Sequence, residues 1–78
     1  MESVRTYKEY DEIKAPEDLP EVGVKAGDRG VVVMEFDDRG GRPPAVMVEY
    51  ADREGQTKAL VTYSTDLEQT FGVYPESD

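Results

Sequence analysis

The chain predicts a small all-β domain of about five short strands. Three β-branched, alternating segments lie between residues 30 and 63, and clusters of Gly, Pro and Asp separate them. The length of 78 residues allows one domain, with a barrel body over about 4–74 and a frayed acidic end at 75–78.

Taken in order, Val4 to Lys14 comes first. Val4, Tyr7, Tyr10 and Ile13 fall at i, i+3 spacing, which a helix would also explain. Thr6, Tyr7, Tyr10 and Ile13 favour a strand, and Pro16 and Pro20 end it. Gly27-Asp28-Arg29-Gly30 reads as a tight turn, with both glycines available for positive φ and Asp28 able to accept from backbone amides. It leads into Val31–Phe36, where alternation places Val32, Met34 and Phe36 on one face and Val31, Val33 and Glu35 on the other. The loop from Gly40 to Pro44 follows, and its two prolines cannot donate to a ladder. Ala45–Tyr50 points Val46, Val48 and Tyr50 inward, and Thr57–Tyr63 does the same with Ala59, Val61 and Tyr63. Between them Ala51–Gln56 holds the glycine of a short hairpin turn. The expected core is therefore Val32, Met34, Val46, Val48, Ala59 and Val61. Ser64 to Glu68 predicts a single helical turn capped by Ser64 or Thr65, and Thr70–Tyr74 a last short strand. Closure into a full or partial barrel would leave no exposed edge.

Leu19-Pro20-x-x-Gly23-x-x-x-Gly27-Asp28-x-Gly30-x-Val32-Val33 resembles the opening signature of a bacterial family of small SH3-like barrels, catalogued as a domain of unknown function. The likeness continues through Val48-Glu49-Tyr50, Gly55-x-Thr57-x-Ala59-Leu60-x-Thr62 and Asp66-Leu67, and so covers about residues 10 to 68. The extended Gly40-to-Pro44 loop and the acidic tail after Glu68 depart from that pattern. The resemblance implies an SH3-like barrel and no particular reaction. Its members are similar to small accessory or partner proteins, sometimes associated with toxin systems. The Gly-Asp-x-Gly-x-Val-Val stretch is also similar to the KOW motif of ribosomal and transcription-associated barrels, which implies a nucleic-acid reading.

Composition narrows the chemistry. The chain has no Cys and no His, so it lacks a thiol nucleophile, the usual general base and the common zinc ligands. Carboxylates alone would have to hold a metal, yet Asp37-Asp38, Asp11-Glu12 and Glu17-Asp18 lack the alternating spacing of a calcium loop. No metal, no cofactor and no catalysis are expected, since a filled barrel of this size has no room for a substantial cleft. Eighteen acids against nine bases give a net charge of −9. Residues 1–20 carry six acids and three bases, residues 21–63 eight and six, and residues 64–78 four and none. Phosphate binding needs clustered cations, but Arg29 with Arg53, and Arg39 with Arg42, are expected at opposite ends and are interrupted by acids. Proline-peptide recognition of the eukaryotic SH3 type needs a Trp, which is absent. The longest apolar run is Val31–Met34, too short to span a bilayer, and Met1–Tyr7 shows no secretory pattern.

The expectation is a cytoplasmic, non-catalytic module that binds a protein partner, with a KOW-like nucleic-acid module as the alternative. Candidate partner contacts are Arg42, Pro43 and Pro44 in the loop and Phe71 and Tyr74 in the tail. Those prolines reduce the entropy cost of ordering a loop on binding. Phe71, Val73 and Tyr74 are apolar residues in an acidic tail that either pack on the body as an added edge strand or await a partner.

Overall fold

The computed structural model describes residues 6–37, 41 and 43–75. Five strands, β1 (Glu12–Lys14), β2 (Arg29–Phe36), β3 (Ala45–Ala51), β4 (Thr57–Ser64) and β5 (Thr70–Pro75), form one antiparallel sheet in chain order. The three central strands lie within a residue or two of the β-branched segments, because alternation there matches a sheet with one buried face. Val32, Val46, Val48, Ala59 and Val61 are fully buried, joined by Tyr50 and Tyr63. The two phenol oxygens meet at 2.6 Å inside the core. Burial pushes both phenols above the ordinary tyrosine range, most strongly Tyr50, so each stays neutral.

Met34 is the exception. It is 47% exposed, and Phe36 is 39% exposed. In the β2–β3 ladder Val32 faces Val48 but Met34 faces Met47, so Val33 is an extra residue on β2. That bulge reverses the alternation beyond it and turns Met34 and Phe36 to the outer face. A second bulge, at Phe71, lies between the pairs Thr62–Gly72 and Tyr63–Thr70.

Among the described residues of the first segment, 6–11 form no strand. Tyr10 adopts a left-handed conformation (φ 76°) in a turn closed by Asp11 N–H donating to Lys8 O, so pairing begins only at Glu12. Gly27 has the positive φ expected, at 92°, and Asp28 Oδ2 accepts the Lys25 amide at 3.0 Å. Gly30 does not have it. Its constraint is space: a Cβ there would come within 2.7 Å of Tyr50 Cε1 and 2.6 Å of Val48 Cγ1.

No ladder joins β1 to β5 among the described residues, so of the full or partial closure expected, full closure by strand pairing is not what these strands make. An irregular stretch, Ala15–Val24, takes the place of that pairing. It carries the 3-10 turn Pro20–Val22, buries Ala15, Leu19 and Val24 in the core, and packs that turn against β5. Thr70 Oγ1 also donates to Glu17 Oε2 at 2.7 Å. This 3-10 turn is the helical element of the described residues, and it precedes β2. Ser64 to Glu68, expected to be helical, is instead a hydrogen-bonded turn that ends with Leu67 at φ 66°. Ser64 does act as its cap, since its Oγ accepts from the Glu68 and Gln69 amides. The Ser64 hydroxyl and the Glu68 amide both donate to Asp66 and hold its carboxyl below the usual range.

Candidate functional site

Sheet register decides what the outer face presents. Met34 faces Met47, Met47 faces Thr62, and Thr62 faces Gly72, so one row of partners runs across β2, β3, β4 and β5. Three interstrand steps make that row roughly 14 Å wide. Its β4 and β5 members are small, and larger side chains stand at either end. Met34 and Phe36 rise from β2, and Phe71 (43% exposed) and Tyr74 (55% exposed) rise from β5. The result is a groove of about 770 Å³ whose lining also includes Glu35, Asp37, Pro43, Ala45, Met47 and Thr62.

Each wall has a local cause. On β2 the Val33 bulge brings Met34 and Phe36 outward. On β5 the Phe71 bulge re-aims the strand, and Val73 then pairs with Val61 and packs on the core while Phe71 and Tyr74 remain outside. Gly72 makes room for the Tyr74 ring, because a Cβ on Gly72 would lie 2.7 Å from the Tyr74 hydroxyl oxygen. Glu35 also runs along the groove, but its pairing with buried Val46 turns its side chain to the opposite face, where Oε2 accepts the Glu9 amide at 2.9 Å.

Among the residues expected to touch a partner, Pro43, Phe71 and Tyr74 come together in this groove. Pro44 is exposed but does not line it, and Arg42 lies outside the described residues. Residues 70–75 form the added strand expected of a packed tail, with Val73 on the core and the Phe71 and Tyr74 rings exposed. Met34, Phe36 and Met47 escaped sequence reasoning as site residues. The one hint was that Val31 and Val33, on the supposedly outer face of β2, are as apolar as the inner face.

A second cleft, of about 690 Å³, has a different chemistry. Arg29, Arg53 and Lys58 line it together with Glu12, Asp28, Glu49 and Asp52. Arg29 lies 3.7 Å from Glu12 and Lys58 lies 4.0 Å from Asp28, so two of its three cations are already paired with acids. Lys58 Nζ also donates to the Gly23 carbonyl at 3.0 Å. Among the described residues no three acidic side chains converge as a metal site, and no helix is long and apolar enough to cross a membrane.

A family model described as "Domain of unknown function (DUF4926)" matches residues 9–67, well over half of the chain. The match spans β1 to β4 and stops before β5, so the Phe71 and Tyr74 wall lies beyond it. Neither a curated protein nor a solved structure matches the chain.

Proposed function

Because the chain belongs to the DUF4926 family of unknown function, which assigns no reaction, we propose a role from the molecule's own surface: a non-catalytic module that binds a protein through the outer-face groove. One observation carries this reading. Met34 and Phe36 from one side of the sheet, and Phe71 and Tyr74 from the other, all remain between 39% and 55% exposed around a shared groove. Contiguous apolar surface of that kind, rimmed by polar groups, is characteristic of protein contact sites. The absence of His and Cys supports the non-catalytic part of the proposal. A cytoplasmic setting and an SH3-like relationship belong to the same proposal, resting on the charged surface and the five-stranded meander. Nucleic-acid binding takes second place because the cleft that gathers Arg29, Arg53 and Lys58 holds four carboxylates as well.

Site-directed photocrosslinking tests this. A benzophenone side chain replacing Phe71 should give a discrete protein adduct in cells, and excess unlabelled wild-type protein should compete it away. A Tyr74→Ser, Met34→Ser competitor should not. The same probe replacing Arg53 should give no discrete adduct. Adducts to RNA from the Arg53 position, with none to protein from position 71, would overturn the reading in favour of the nucleic-acid alternative.

A further inference from the structure

We propose that the groove seats a basic segment of a partner protein, in which an aliphatic or aromatic side chain sits between lysines or arginines. This rests on the groove being the contact face. The small β4 and β5 members of the row, Thr62 and Gly72, leave a trough between two hydrophobic walls, and one apolar anchor can fill it. Met34 and Met47 belong to that row, and their unbranched thioether chains repack around anchors of different shape.

Charge selects the rest of the ligand. Among the described residues, the charged ones along the groove are Glu35 and Asp37, both acidic. Asp37 follows directly on Phe36 at the end of β2, so an acidic residue stands beside one hydrophobic wall of the groove. The whole molecule reinforces this, since 18 acids against 9 bases make its field attractive to a basic approach. The same field argues against a second copy of this chain as the occupant. Two molecules of charge −9 would bring acidic rims together, and like-charge juxtaposition at an interface is costly.

Selection from a library of random short displayed peptides on the folded protein tests the inference. Enriched peptides should carry Lys or Arg beside a Leu, Ile, Phe or Trp. Their affinity should fall with added salt and drop at least about tenfold for Asp37→Lys, since a rim attraction becomes a repulsion. A thermal melt of that variant matching wild type shows that the loss is not unfolding. Enriched peptides without basic residues, bound equally by the charge variant but lost with Phe71→Ser, would overturn this inference and leave the groove as the contact face. Peptides that bind Phe71→Ser and wild type alike, or no enrichment at all, would overturn both. Sedimentation of the protein alone should show a monomer. A dimer dispersed by Phe71→Ser would assign the groove to a second copy instead.

Discussion

The hydroxyls of Tyr50 and Tyr63 sit where the rest of the core is apolar, and each satisfies the other. Replacing one tyrosine with Phe strands the remaining buried oxygen. Tyr50→Phe and Tyr63→Phe should each cost about 1–3 kcal/mol by urea denaturation, and the double variant should cost less than the two together. Additive losses would show that the two hydroxyls do not depend on each other. The pair also sets a pH limit. Both phenols are raised by burial, so their contribution is complete below the ordinary tyrosine pKa of about 10 and is lost as pH climbs above it. Stability of the wild type should fall in that alkaline window, and the double Phe variant should fall less steeply. That Tyr50 and Tyr63 point inward was legible in the sequence, from alternation with Val48 and Val61. That their oxygens meet was not, because they belong to different register pairs, Tyr50 with Ala59 and Val46 with Tyr63. Gly30 shows the same division: its need for glycine was legible, but the cause is the Tyr50 ring beside it and not its own φ.

Strands β2 and β5 show how one extra residue creates the site. Simple alternation sends Met34 and Phe36 to the core, and residue types in Val31–Phe36 contain nothing that marks Val33 as the unpaired one. A bulge is chosen by what the partner strand demands, here the burial of Val46 and Val48 on β3, and that demand is non-local. The pairing makes an unusual deletion permissible. Removing Val33 leaves Val32 on Val48 and Met34 on Met47 as consecutive pairs, so the ladder becomes regular without moving the groove. The Val33 deletion should therefore fold and keep the methyl chemical shifts of Met34 and Met47 close to wild type, at a cost of about 1–2 kcal/mol for the half-buried side chain. Deleting Val46 has no such escape, and should unfold the domain by sending later β3 residues to the wrong face. A Val33 deletion that unfolds, or that moves the Met34 signal to a buried environment, would show that the bulge holds the strand together.

Across the whole molecule, the acidic excess and the one-sided core were readable at once, whereas what stands between β1 and β5 was not. Closure by strand pairing is the general solution to an exposed edge, but this chain uses the stretch Ala15–Val24 instead, with Leu19 and Val24 in the core and its 3-10 turn against β5. The Pro and Gly of that stretch mark a break in regular structure without saying where it docks. Its docking has a consequence for the order of folding. The meander β2–β5 grows by hairpins between neighbours in the chain, the quick route, while Glu17 reaches Thr70 across 53 residues and must wait for those strands. Contacts made after the barrier do not set the speed of folding, but they do set how long the folded state survives. In stopped-flow measurements Leu19→Ala should therefore leave refolding nearly as fast as wild type and speed unfolding by almost the whole stability loss. Val48→Ala, in the meander, should slow refolding. If Leu19→Ala slowed refolding instead, the crossing would belong to the nucleus. With the expected result, the same short stretch acts as a latch: it arrives late, and the lifetime of the native state is governed by how seldom it lets go.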